Sequence, residues 1–193
     1  MKILLLKFRN IGDVLLSTPL VNNLRHHYPN AQIDFCVNKE TEAMLTLNPN
    51  LNKIITYDRI AIKSLTSIKR LWRELQFIRS FKKENYDVVI NLTSGDRGNL
   101  IAWISNATTR IGYSNKSWFF RKSLTHELPK QELRHTVDAS LDPLRLLNIP
   151  ISNKSVEIFW NSKDEQAISS ELTNINNFIH LHPVSRWLFK CIS

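Results

Sequence analysis

Hydrophobic positions fall into two alternating rhythms along this chain. Residues 3–6, 33–37, 54–57 and 86–91 are short apolar runs between polar or turn residues. This is the pattern of strands buried on both faces of a parallel sheet. Between them, apolar residues recur at helical spacing. Val14, Leu15, Leu20, Val21 and Leu24 form one such set, and 42–47 predicts a short helix. Leu65, Ile68, Leu71, Trp72, Leu75, Ile78 and Phe81 predict one long helix over 61–84 with its apolar stripe on the core. A helix near 100–105, a strand at 110–113 and a helix over 132–147 follow. Pro19 is unsuited to a helix interior. It predicts a kink or a restart, with Ser17 and Thr18 available to cap the new turn.

The β-α-β-α order predicts an α/β domain built on a parallel sheet, spanning residues 1–150. The stretch 150–154 (PISNK) has the composition of a linker. A strand at 156–159, a helix at 163–172 and a strand at 178–182 are expected to open a second, incomplete α/β unit over 151–193.

Charge adds a preference for partners. The chain carries a formal net charge of +9, which favours anionic ligands such as phosphorylated or carboxylated glycans, anionic lipid or nucleic acid. The excess is concentrated: residues 61–83 hold seven Lys and Arg against Glu74 alone. That face, with Trp118, Phe119, Phe120, Arg121 and Lys122, is a candidate for docking on anionic headgroups. Nucleic acid is disfavoured, because no helix-turn-helix pattern or aromatic-basic motif accompanies the charge. Cys36 and Cys191 lack metal-binding spacing and read as free thiols of a reducing compartment. The apolar start at 3–6 is too short for a signal peptide, and no run is long enough to span a bilayer. The expectation is a cytoplasmic protein, peripheral to the membrane.

Three segments offer chemistry. Arg9, Asn10, Ile11, Gly12 and Asp13 lie directly after the first strand, where open α/β sheets bind ligands. Asp13 is a candidate general base or, equally, a helix cap. Arg9 is suited to a carboxylate or phosphate. The loop of Ser94, Gly95, Asp96, Arg97 and Gly98 follows the strand at 86–91 and so opens on the same sheet edge. It reads as a ligand loop, with Arg97 for an anion, or as a capping turn. Near the end, Ser185, Arg186 and Lys190 follow the strand at 178–182 and suit a departing diphosphate. His180 and His182 share a strand face, but no third ligand is near in sequence, and a structural role is preferred to a metal site.

Together these segments resemble glycosyltransferase family 9, the lipopolysaccharide heptosyltransferases. The carriers are KILLLKFRNIGDVLLSTPLVNNLRHHYPNAQIDFCV, YDVVINLTSGDRGNLIAW and HLHPVSRWLFKC, in that order. The resemblance implies a two-domain GT-B fold, here a Rossmann-like first domain and only the start of a second. It implies inverting transfer of heptose from ADP-heptose, with no metal or other cofactor, to the inner core of lipopolysaccharide at the cytoplasmic leaflet of the inner membrane. It puts the base at Asp13 and the acceptor site around Arg9, Asn10, Gly12, Asp96 and Arg97. Ser185, Arg186 and Lys190 take the donor diphosphate. The family's second domain is longer than 151–193, so the expectation is a truncated, inactive chain. The alternative is a non-catalytic acceptor-domain fragment that binds anionic glycan or membrane.

Overall fold

A computed structural model describes residues 1–114, 123–129, 134–172, 179 and 181. Its centre is a six-stranded sheet with strand order β3-β2-β1-β4-β5-β6. The strands are β1 (Lys2–Lys7), β2 (Gln32–Asn38), β3 (Lys53–Tyr57), β4 (Val88–Asn91), β5 (Thr109–Tyr113) and β6 (His126–Leu128), and every pairing is parallel. This is the Rossmann-like α/β architecture expected from the alternation of runs. The chain winds outward from β1 to β3, then returns to lay β4 on the other side of β1. The reversal leaves a crevice beyond the carboxyl ends of β1 and β4, where such sheets bind ligands.

The apolar strands are buried because helices cover both faces. Ile3 and Leu5 of β1 point into one core, with Ile33 and Phe35 of β2, Ile90 of β4, and Leu20 and Leu24. Leu4 and Leu6 point into the other, with Cys36, Val89, Ile101, Ile78 and Phe81. Burial raises the Cys36 thiol well above its ordinary range, so this cysteine is a core residue and not a reactive thiol.

The helices depart from the expected series in informative ways. The first splits into α1 (Ile11–Leu15) and α2 (Thr18–His27), with Pro19 in the opening turn of α2. The restart expected at Pro19 is present, but the hydroxyls do not cap it. Ser17 Oγ donates to the Asp13 carbonyl at 2.8 Å and Thr18 Oγ1 to the Leu15 carbonyl at 2.9 Å, so they satisfy the end of α1. The short helix expected at 42–47 is a 3-10 turn at Lys39–Met44. The long helix over 61–84 is α3 (Arg59–Lys63), α4 (Ser67–Ser80) and a 3-10 turn at Phe81–Glu84.

Its apolar stripe also differs. Ile78 and Phe81 are buried, whereas Ile68, Leu71, Trp72 and Leu75 are 79%, 61%, 71% and 38% exposed. Direction round the helix does not separate the two sets, since Leu71 and Ile78 are seven residues apart and point within about 20° of each other. The difference lies along the helix: only its C-terminal end, through Phe77, Ile78 and the following Phe81, packs into the second core.

Beyond α5 (Asp96–Ile104), the sequence reading has no counterpart for β6, and its helix over 132–147 is two pieces, α6 (Thr136–Ser140) and α7 (Asp142–Leu146), divided before Pro143. Residues 132 and 133 lie outside the described residues.

The chain divides into two compact units, Met1–Phe159 and Trp160–Ser193. No strand forms at 156–159. The segment leading there bonds to α2 and not to a strand. Ser152 N and Asn153 N donate to Asn23 Oδ1 at 2.7 and 3.2 Å, and Glu157 N donates to Thr18 Oγ1 at 3.2 Å. In the second unit, α8 (Ser162–Glu171) opens with Asn161 accepting from Lys163 N and Asp164 N. The strand expected at 178–182 lies mostly outside the described residues.

Candidate functional site

Three strand ends converge on the crevice, and hydrogen bonds join their loops. β1 ends in Lys7, whose ammonium is buried and donates to the Leu92 carbonyl just past β4, at 3.2 Å. Phe8 N donates to Thr93 Oγ1 at 2.9 Å, and Arg9 Nη2 donates to Ser94 Oγ at 2.7 Å. From the other side, Asn38 at the end of β2 donates through Nδ2 to the Arg9 carbonyl at 3.3 Å. Its Oδ1 is buried without a partner among the described residues. The loops that carry Arg9 and Ser94 are therefore one structure, although 85 residues separate them in sequence.

Asp13 stands in the first turn of α1, half-buried. Its Oδ2 accepts from Asn10 N at a long 3.4 Å, as part of a capping box with Asn10 at the N-cap. Its Oδ1 accepts no hydrogen bond among the described residues. A 3.4 Å contact is a weak bond, so the capping role leaves most of this carboxylate's acceptor capacity for other groups. Apart from its chain neighbours and its own helix backbone, no atom of the described residues lies within 4 Å of where a Cβ would stand on Gly12. Lys7 feels the Asp13 charge: burial lowers the Lys7 pKa, attraction to Asp13 opposes that shift, and Arg9 adds to it.

The second loop is shaped by close packing. Asn91 Nδ2 donates to Asn99 Oδ1 at 2.8 Å, its Oδ1 accepts from Thr93 N at 3.0 Å, and Asn99 Nδ2 donates to the Tyr113 carbonyl at 3.1 Å. A Cβ on Gly98 would meet the Asn91 side chain at 2.3 Å, so only glycine lets α5 approach β4 this closely. Asp96 is the exposed first residue of α5.

Arg97 turns towards α4. It donates to Glu74 Oε1 at 2.9 Å and Oε2 at 3.3 Å, and to the Tyr57 hydroxyl at 2.9 Å. Its guanidinium lies 4.2 Å from the Tyr57 ring centroid and 5.8 Å from that of Phe8. The Tyr57 hydroxyl donates to Glu74, and burial followed by that bond pushes its pKa up to about 12. An anion reaching Arg97 would have to compete with Glu74. Beside this cluster, at the end of β3, a cavity of about 500 Å³ is lined by Tyr57, Asp58, Leu65, Arg73 and Phe77 among others.

The structure thus joins Phe8 and Arg9 to Thr93 and Ser94 of the second loop, with Asn10, Gly12 and Asp13 following Arg9 in the chain and Arg97 adjoining through Phe8. Ser185, Arg186 and Lys190 lie outside the described residues, as do His180, His182 and residues 118–122. Among the described residues, no group of three His, Cys, Asp or Glu side chains is placed to hold a metal ion. The sequence reading did not single out Lys7, Asn38, Thr93 or Ser94 as partners in one site. The signal for Lys7 was a charged residue ending an apolar strand; for the others only the fold supplies the pairing.

No family model matches the chain. Over 186 residues it is 27% identical to lipopolysaccharide heptosyltransferase 3 of Escherichia coli, covering 93% of this chain and 54% of that protein. It is 23% identical over 121 residues to the lipopolysaccharide core heptosyltransferase OpsX of Haemophilus influenzae, covering 60% of this chain and 32% of the relative. Among solved structures, a glycosyl transferase family 9 protein from Veillonella parvula superposes with a TM-score of 0.74 at 22% identity, over 92% of this chain and 51% of that one. The E. coli heptosyltransferase WaaC, solved with ADP-2-deoxy-2-fluoro heptose, gives a TM-score of 0.67 at 15% identity, over 81% of this chain and 51% of that one. The relatives are the enzymes that the three motifs resemble, and the fold is that of one half of these glycosyltransferases. The chain spans about half the length of the E. coli relative it matches.

Proposed function

Proceeding from this similarity to the lipopolysaccharide heptosyltransferases, we propose that the chain is the acceptor-side half of an inverting heptosyltransferase, with Asp13 as its general base. The acceptor is the lipopolysaccharide inner core, and the donor is ADP-heptose. The observation that carries the reading is the position of Asp13: at the reversal of the sheet, half-buried, with one carboxylate oxygen unbonded and space beside Gly12 among the described residues. In the proposed step the Asp13 carboxylate takes the proton of an acceptor hydroxyl as that oxygen bonds to the anomeric carbon. The bond from that carbon to the diphosphate breaks on the opposite face, and ADP leaves with the electron pair. Arg9, Asn10, Gly12, Asp96 and Arg97 would form the acceptor site, Arg9 and Arg97 meeting the acceptor's phosphates and carboxylates and Asp96 its hydroxyls. Ser185, Arg186 and Lys190 would meet the diphosphate, by family resemblance alone. The protein would work without a metal, from the cytoplasmic side of the inner membrane and peripheral to it.

The same half-length match favours a second reading for these 193 residues by themselves, namely acceptor binding without turnover. One experiment separates the two. The chain alone, and the chain fused after residue 159 to the second half of a heptosyltransferase, are given ADP-heptose and purified inner-core acceptor. Expected are acceptor binding without ADP release for the chain alone, and ADP release with mass gain of the acceptor for the fusion. A general base typically contributes about 10²–10⁴-fold, and Asp13→Asn in the fusion should lose that much. Full turnover by Asp13→Asn would remove the base, and a chain that binds no acceptor would remove both readings.

A further inference from the structure

The outer face of α4 has no role in the fold. Ile68, Leu71, Trp72 and Leu75 stand at i, i+3, i+4 and i+7, within an arc of about 100° on a 3.6-residue helix. All four are exposed. The helix is held to the domain by the half-buried Phe77 on its opposite side and by Ile78, buried at its C-terminal end. Phe77 packs against Tyr57 and Phe81 with ring centroids 5.1 and 5.2 Å apart. An exposed apolar stripe containing a tryptophan signals contact with a partner surface.

The surrounding charge identifies that surface. Lys69 and Arg79 lie beside the stripe on the same helix, and Lys82 and Lys83 follow it; Arg70 and Arg73 lie on the side of the Tyr57 cavity. Glu74, the one acid of α4, is turned inward to Arg97 and Tyr57 and is 17% exposed. Trp72, Leu75, Arg79, Lys83 and Glu84 help line a groove of about 700 Å³ with an apolar floor. Glu84, the acid at its edge, is paired with Lys2 at 2.9 Å and Lys53 at 3.7 Å, which leaves Arg79 and Lys83 as the cations beside the stripe. A protein partner would have to supply a matching apolar ridge flanked by acids. An anionic bilayer supplies both chemistries everywhere: phosphates at the surface and acyl chains just beneath.

We infer that α4 is a bilayer-insertion helix. Ile68, Leu71, Trp72 and Leu75 enter the headgroup–acyl boundary of an anionic membrane, while the flanking Lys and Arg bind lipid phosphates. The inference deepens the peripheral membrane association proposed above, and its test needs neither donor nor acceptor.

The purified chain is mixed with vesicles of phosphatidylethanolamine and phosphatidylglycerol, and separately with vesicles of phosphatidylcholine. Co-sedimentation and tryptophan emission are recorded. Expected are binding to the anionic vesicles only, a blue shift, and quenching by acyl-brominated lipid that is weaker in Trp72→Phe. Leu71→Ser with Trp72→Ser should lower the partition coefficient at least tenfold. Trp72→Phe should keep binding within about twofold. Lys69→Gln, Arg79→Gln and Lys83→Gln should each weaken binding roughly fivefold, the equivalent of ~1 kcal/mol per surface cation. Circular dichroism and Tm should match the parent for every variant. Undiminished binding by the Leu71→Ser, Trp72→Ser variant overturns the inference, as does equal binding to both vesicle types or to neither. So does a dimer that this variant dissociates, which would assign the stripe to a second copy of the chain. None of those results bears on Asp13 or on ADP release.

Discussion

β1 and α4 are both rich in large apolar residues, yet those residues do opposite work. In β1, Ile3, Leu4, Leu5 and Leu6 are at most 1% exposed and alternate between two cores. In α4, four large apolar side chains face away from both cores, while Glu74 and Phe77 face inward and Ile78 is buried only at the helix's C-terminal end. The polar groups follow the same contrast. At the end of β1, Lys7 and Arg9 are bonded to the loop after β4. On α4, most cations lie at the surface around an apolar stripe. Apolar residues on the period of their own element join the core only where a neighbouring element covers that face; where none does, the stripe is left for another surface.

The contrast is sharpest in stability. Leu5→Ala removes a side chain with no exposure from the central strand, where neighbours on both sides limit collapse. A loss of about 3–5 kcal/mol is expected, read as a lower denaturant midpoint at unchanged m-value. Gly98→Ala should cost about 1–3 kcal/mol, because its methyl would overlap the Asn91 side chain, which is buried and bonded to Asn99 and Thr93. It also displaces Thr93, the partner of Phe8 N, so amide exchange at Phe8 should quicken more than at Leu5. An alanine variant as stable as the parent, with unaltered exchange at Phe8, would show that the second loop does not hold the first.

Much of this was legible because strands and loops obey local rules. The parallel sheet follows from apolar runs at 3–6, 33–37, 54–57 and 86–91, and the restart at Pro19 from its missing N–H. The loops bearing Asp13 and Asp96 were expected at one sheet edge, since both follow parallel strands. Three things escaped. β6 is three residues long, and its single buried side chain, Leu128, leaves no pattern to read. The stripe of α4 was assigned to the core because apolar spacing alone does not show whether a neighbouring element covers the face it marks. The partners of Arg97 were hidden because Tyr57 and Glu74 lie 40 and 23 residues away, and only the order β3-β2-β1-β4 brings those elements together.

Lys7 tests the buried side of the comparison with pH. Burial lowers its pKa from 10.5, more than attraction to Asp13 restores. Between the lowered folded value and 10.5, the unfolded chain binds more protons than the folded one. Unfolding free energy from this group therefore rises with pH across that window. Lys7→Met removes the titration. The parent should gain stability relative to Lys7→Met as pH climbs through the alkaline range, while near neutrality the two differ by about 1 kcal/mol, the scale of the lost bond to the Leu92 carbonyl. Parallel pH curves would mean that Lys7 is solvated in the folded chain.

The smallest effect is the most telling for α4. Leu71→Ser and Trp72→Ser remove large apolar side chains, as Leu5→Ala does, but from positions already in contact with water. Transfer free energy is lost only for area that folding hides, so each change should alter stability by no more than about 0.5 kcal/mol. Serine is a slightly poorer helix former than leucine, and that difference accounts for most of the small expected loss. Chemical denaturation of both variants beside Leu5→Ala reads the contrast directly. If either serine variant lost several kcal/mol, the outer face of α4 would belong to the folded core and would not be free for a partner.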